Sequence, residues 1–238
     1  MRRVAALSLP AFEILWDDLD AGPVPYPLDL PSPGETFDER RRIRQAVHAD
    51  LDRRGLARRG RPEAELEDAL RLLHRPAARI TVLGMPDVHA DALLRAVVVA
   101  RGNYVVRAVQ EEGFVLLDVV RGPAEAAVEV LPPARPGPGK PVTVAAKDLN
   151  GTPDEPQGFT RAVRRSGNPD VRAVREMLAG PITGTGHFAV DGAEDPITWF
   201  DTERGRYAST GSDWITVAPA DQGGLVARLS RALARPDR

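Results

Sequence analysis

The stretch Pro196–Asp221, PITWFDTERGRYASTGSDWITVAPAD, decides the fold. It sets Trp199, Tyr207 and Trp214 around two turn signals. Aromatic and β-branched side chains suit a pleated, half-buried surface, so they mark strands. Trp199–Phe200 reads as one strand and Arg206–Ser209 as its return. Between them Asp201–Gly205 is a turn, set by the Asp201 or Thr202 side chain bonding its own backbone. Gly205 can supply the positive φ that a tight turn needs. Trp214–Val217 is a third strand, and Pro219–Asp221 opens a final helix. That helix carries Leu225, Val226, Leu229 and Leu233 along one face. The segment is therefore a meander closed by a helix, and no catalytic group stands in it where one would be expected.

Working outward, the same layout recurs upstream. Ala78–Leu83, Tyr104–Val109 and Phe114–Val120 read as strands, and Ala92–Ala100 as a strand or a short buried helix. Their tight spacing favours an antiparallel meander, after which Pro123 opens a helix to about Leu131. Phe114–Leu131 and Trp214–Leu229 share one plan: an aromatic-led strand, a Pro break, a helix. This suggests an internal duplication in which two α+β halves pair their sheets about a pseudo-two-fold axis. The first half spans about 8–131 and the second about 141–234. Between them 132–140, PPARPGPGK, reads as a linker because Pro and Gly dominate it.

Before the first meander come helices. Ser8 can cap Leu9–Leu19, and Thr36-x-x-Glu39 is a capping box for Phe37–Arg54, which Gly55 stops. Pro23–Pro33 is an extended proline-rich segment, and Pro62 starts a helix with Leu66, Leu70 and Leu73 inward. In the second half Val142–Val144 is a short strand, Asn150–Gln157 a mobile loop and Glu155–Arg165 a weak helix. Asn168 caps Pro169–Ala179, and Gly186–Val190 is a strand.

Bulk numbers narrow the function. The chain has 238 residues and a formal net charge of -2, with 42% hydrophobic and 28% charged residues. A chain of this length buries roughly 70–75% of its unfolded surface, so a real core is available. Acids interleave the arginines almost everywhere, which disfavours nucleic acid. There is no Cys, which excludes disulfides and thiolate zinc sites and fits a reducing compartment. The N-terminus, MRRVAALSLPAFEILWDD, looks like a signal peptide for a few residues, but Pro10 and Glu13 break its apolar run. No segment reaches the ~20 apolar residues that span a bilayer.

Motif-bearing residues give little chemistry. His48, His74, His89 and His187 show no metal-ligand spacing, and no Ser stands in a G-x-S-x-G elbow. Gly184-Thr185-Gly186 is followed by a strand where a dinucleotide site needs a helix. Asp17, Asp18 and Asp20 read as a solvated helix end. Arg40–Arg42 and Arg44 read as an exposed, salt-bridged face with Asp38, Glu39 and Asp50. Asp201 is the one ambiguous acid. A carboxylate accepting backbone N–H bonds in its turn is favoured over a catalytic role with His187. By elimination the chain looks like a binding protein that needs no cofactor or metal.

Several segments together resemble one family, the EspG proteins, chaperones of actinobacterial type VII (ESX) secretion. They are Leu15-Trp16, Pro25-Tyr26-Pro27-Leu28, Gly34-x-Thr36-x-x-Glu39-Arg40, Arg54-Gly55-Leu56 and Ala100-Arg101-Gly102. The specific ones are Phe200-Asp201-Thr202-x-x-Gly205-Arg206-Tyr207 and Trp214-x-Thr216-Val217-Ala218-Pro219-Ala220-Asp221. The resemblance runs from about Ser8 to Ala234. It implies an α+β fold with a central, largely antiparallel sheet flanked by helices in two quasi-two-fold halves. It also implies a cytosolic, non-enzymatic chaperone that binds the apolar helical tip of PE–PPE or other helical-hairpin (WxG100-like) cargo. Such a protein could form a homodimer when free of cargo. The family motifs then read as structural, holding the sheet together through turns and buried aromatics. The candidate groove lies on the sheet and the C-terminal helices, at Met85, Pro86, Val88, His89, Met177, Leu225 and Leu229. Two rivals remain: a small hydrolase using Asp201 and His187, and a structural adaptor of a secretion locus.

Overall fold

The structure is a computed structural model that describes residues 1–149 and 168–234. The expected Asn150–Gln157 loop and Glu155–Arg165 helix lie outside the described residues. Contacts divide the chain into two compact units. One comprises Met1–Gly84 and Leu93–Leu131, the other Met85–Ala92 and Pro132–Arg238.

The first unit opens with β1 (Arg2–Ser8), then α1 (Leu9–Asp18) and α2 (Phe37–Arg53). A two-strand ribbon, β2 (Ala57–Arg58) and β3 (Arg61–Pro62), precedes α3 (Ala64–His74). Pro62 thus lies in the ribbon, two residues ahead of the helix it was expected to start. The meander follows as β4 (Ala78–Met85), β5 (Leu94–Arg101), β6 (Tyr104–Glu111) and β7 (Phe114–Val120), then α4 (Pro123–Val128). Leu94–Arg101 is a strand because its valines pack both faces: Val97, Val98 and Val99 are all fully buried. The hairpins turn through two residues each, with Gly102 and Gly113 at positive φ.

β1 is a strand that the sequence reading treated only as a leader-like run. Its burial alternates, with Ala5 and Leu7 inward, and it pairs antiparallel with β7 through a bulge between Arg3 and Ala5. The core of this unit joins Phe12, Leu15 and Trp16 of α1 and the leucines of α3 to Val97, Val99, Val106 and Leu117. Phe12 and Trp16 stack at 5.7 Å, and Trp16 Nε1 donates to the Gly22 carbonyl at 2.9 Å.

The second unit holds β8 (Val142–Ala145), α5 (Ala146–Leu149) and α6 (Pro169–Met177). Its meander is β9 (Ile182–Val190), β10 (Ile197–Thr202), β11 (Gly205–Thr210) and β12 (Trp214–Pro219), closed by α7 (Gln222–Leu233). β9 starts four residues earlier than expected, because Gly184 and Gly186 hide the strand signal. Phe200, Tyr207 and Val217 on one sheet face pack Val171, Val174 and Met177 of α6. Asp221 caps α7, accepting from the Gly224 N–H at 2.7 Å.

The strand orders are β1-β7-β6-β5-β4 in the first unit and β8-β12-β11-β10-β9 in the second. In both, a leading strand pairs with the last strand of a four-stranded antiparallel meander, and a helix follows. The α+β class with antiparallel pairing and flanking helices is thus observed, and the two units share one topology.

The segment 132–140 differs from a free tether. Its Pro136 bridges Arg206 in parallel, the Gly137 N–H donates to the Arg206 carbonyl at 3.0 Å, and the Arg206 N–H donates to the Arg135 carbonyl at 2.9 Å. Its prolines rule out a regular ladder but leave enough N–H groups to lace onto one strand.

Candidate docking site

The connection from β4 to β5 forms a braced ledge on the start of β9. The Val88 N–H donates to the Thr183 carbonyl at 2.9 Å. Asp87 closes a turn, taking the His89 N–H on Oδ1 at 2.9 Å and the Ala90 N–H on its carbonyl at 3.2 Å. Gly184 permits the approach: a Cβ there would lie 2.5 Å from the Pro86 carbonyl oxygen and 3.3 Å from that of Met85. On this ledge Met85 is 37% exposed and Ile182 42% exposed. Pro86 and Val88 are half-buried, and Asp87, His89 and Asp91 face solvent. An apolar surface held by backbone hydrogen bonds loses little entropy when something packs on it.

Three other expected contact residues do not belong to this surface. Met177, Leu225 and Leu229 are buried, the last two fully. Met177 belongs to the cluster with Phe200 and Tyr207. The apolar stripes of α6 and α7 face the sheet, so burial has already consumed them. Conversely, Gly184, Thr183 and Ile182 were missed. The usable signal was the Gly184-Thr185-Gly186 pattern, which inside a strand marks close backbone approach rather than a phosphate loop.

The family-motif residues are mostly structural. Phe200 and Tyr207 stack at 5.6 Å, and the Tyr207 hydroxyl donates to the Pro138 carbonyl at 3.1 Å. Thr202 Oγ1 takes the Arg204 N–H at 3.2 Å and donates to the Gly205 carbonyl at 3.1 Å, so Thr202 sets the turn. Gly205 has the positive φ expected of the turn, 130°, and is needed for packing as well, since a Cβ there would meet the Gly137 nitrogen at 2.7 Å and the Arg135 oxygen at 2.8 Å. Trp214 departs from the expectation of a buried aromatic: it is 66% exposed at the first position of β12.

Asp201 does not accept the backbone N–H bonds expected of it. It grips Arg206 with both oxygens, at 2.7 Å to Nε and 2.8 Å to Nη2. Arg206 is fully buried, and its Nη2 also donates to the Pro132 carbonyl at 3.1 Å. The pairing with His187 fails on geometry. His187 stands opposite Thr198, three residues from Asp201 on β10, so the two side chains leave opposite faces of the sheet. Asp201 and Arg206 line a small cleft of about 280 Å³ that Thr183 shares with the ledge. A larger cleft of about 580 Å³ in the first unit is lined by Arg2, Glu65, Asp68, Arg71, Leu72, Arg101 and Tyr104. Burial, with Asp68 and Glu65 nearby, pushes the Tyr104 phenol up. Arg2 pairs there with Glu65, which spends that charge internally.

Arg41 pairs with Asp38 along α2 as its sequence reading expects, whereas Arg40 and Arg44 depart from that reading. Arg40 reaches Glu13 at 2.9 Å and Asp17 at 3.1 Å. Arg44 bridges Asp17 and Asp18, and His48 Nε2 lies 2.9 Å from Asp18. These are bonds between helices, not along one. The guanidinium of Arg40, then that of Arg44, holds the Asp17 carboxyl below the usual range. Among the described residues, no group of three or more His, Cys, Asp or Glu could hold a metal ion. No described helix is long and apolar enough to cross a membrane.

Comparison with known proteins fits this picture. The model of the EspG family matches residues 8–231. The fold is similar to a chain in the solved structure of the Mycobacterium tuberculosis type VII secretion system chaperone EspG5 in complex with a PE25-PPE41 dimer. The TM-score is 0.65 at 16% identity, covering 96% of this chain and 95% of that chain. No curated protein matches the sequence. With a family model spanning nearly its whole length, the chain belongs to the EspG family.

Proposed function

We propose that this protein is a cytosolic, non-enzymatic chaperone of type VII secretion. It covers the apolar helical tip of a PE–PPE-type or other helical-hairpin substrate, keeps it soluble and directs it to the ESX machinery. The observation that carries this is the ledge. In an EspG-family chain, Met85 and Ile182 stand exposed on a backbone braced by Val88, Thr183 and Gly184. The EspG5 of the similar structure is bound to a PE25-PPE41 dimer, which supports a helical cargo.

An exposed apolar tip self-associates unless a complementary surface covers it. A groove reading the i, i+3, i+4 side chains of a helix supplies that cover without chemistry. Adaptable Met suits a surface that must bind and later release. The whole chain acts as one EspG-like domain built from two repeats, with 132–140 joining them. Uncovered, the same ledge would favour a homodimer. Co-expression with each helical-hairpin substrate encoded in the source genome, followed by gel filtration, tests the reading. One substrate co-elutes in a defined complex burying on the order of 1,200–2,000 Å². Failure of every such substrate to co-elute contradicts it.

A further inference from the structure

We infer that the cargo tip received by this ledge is cationic, with Lys or Arg flanking its apolar residues and meeting Asp87 and Asp91. The inference rests on the docking reading above and adds the charge of the occupant. Met85–Ala92 contains two acids and no Lys or Arg. Both acids are exposed. Asp87 spends one oxygen on the His89 N–H, and Asp91 has no hydrogen bond or ion pair among the described residues.

Several acids elsewhere in the chain are paired. Glu13, Asp17 and Asp18 meet arginines of α2, Asp118 meets Arg3 at 2.5 Å, and Asp201 meets Arg206. On the ledge, exposed apolar side chains and uncompensated carboxylates coincide. Covering it with a neutral or acidic tip would strip water from Asp87 and Asp91 with nothing in exchange. A Lys or Arg lays its methylene stem over apolar side chains such as Met85 and Ile182 and carries its charge to the acids beside them. Such complementarity sets which partner is accepted more than how tightly it is held.

Two synthetic helix–turn–helix peptides test this. They share one Leu- and Phe-rich tip, flanked in one by two Lys and in the other by two Glu. Anisotropy titrations use the full-length protein at low and at high salt. The Lys peptide binds at least about fivefold more tightly at low salt, and the preference shrinks as salt is added. In the double variant Asp87→Asn, Asp91→Asn the preference disappears. The amide introduced by Asp87→Asn still offers a side-chain oxygen to the His89 N–H, so the loop keeps its turn and an unchanged melting temperature checks the fold. Equal binding of the two peptides, tighter binding of the Glu peptide, or a preference that survives the double variant overturns the inference and leaves the docking reading standing. If neither peptide binds, the docking reading fails and this inference with it.

Discussion

At the scale of single residues, the most consequential pair is Asp201 and Arg206. They face each other across the β10–β11 ladder, and Arg206 is fully buried. A buried guanidinium without its carboxylate has lost its compensation but not its desolvation cost. Asp201→Ala is therefore expected to destabilise the protein by about 3 kcal/mol, read as a lower urea midpoint. Replacing both, Asp201→Ala with Arg206→Met, should recover much of that loss. A single variant with the wild-type midpoint would remove Arg206 from its structural role. The sequence placed both residues at the turn but not their bond. That bond depends on register: Asp201 opposes Arg206, and Thr202 opposes Gly205. A one-residue slip would have put them on different faces.

At the scale of elements, α1 and α2 are joined by an ion ladder. Residue numbers rise together, from Glu13 with Arg40 to Asp18 with His48, so the helices run side by side in the same sense. The long connection through Pro23–Pro33 makes that possible. α2 has Leu51 as its fully buried residue, so it leans on these charges more than α3 does. Asp17 is held below its ordinary value near 4. A lowered carboxylate stabilises the fold above its unfolded pKa, and that contribution vanishes as pH falls through the lowered value. Amide exchange in α2 should therefore rise below about pH 4, and Asp17→Asn should flatten part of that dependence. Half of the Asp17 side chain is exposed, so added salt should weaken the ladder even at neutral pH. Exchange in α2 that ignores both pH and salt would contradict this. Long-range charge pairing is invisible in one sequence, where the i, i+4 partners within a helix look just as plausible.

The ledge is an element-scale feature too. Gly184→Val puts a side chain where the Pro86 carbonyl now lies, 2.5 Å from the added Cβ. The expected result is faster exchange of the Val88 amide and weaker cargo binding, with most of the sheet still protected. Retained protection at Val88 would show that the loop does not depend on this contact. Strand existence was legible wherever aromatic or valine runs met turn residues, as in β6, β7, β10 and β11. It was not legible in β1, whose Ala5-x-Leu7 alternation is short, nor at the glycine-rich start of β9.

At the scale of the whole molecule, the repeated topology and the family membership both follow from patterns the sequence carried in its two meanders. Of the proposed docking surface, only half was legible. The loop residues Met85, Pro86, Val88 and His89 could be singled out because apolar side chains stood in a polar-flanked turn. Met177, Leu225 and Leu229 could not be told from core, because the inward stripe of a surface helix and a docking stripe have the same period. Only the sheet beneath decides which it is.

The central claim is that the ledge, rather than any catalytic cleft, is where this protein works. Isothermal titration of the wild-type protein and of the Met85→Asp, Ile182→Asp double variant, each against a cargo that co-elutes with the wild type, tests it most directly. Both positions are exposed, so the variant should keep its melting temperature while its affinity falls at least about tenfold, a loss of roughly 1.4 kcal/mol. Unchanged affinity in a folded variant would place the docking surface elsewhere and contradict the account.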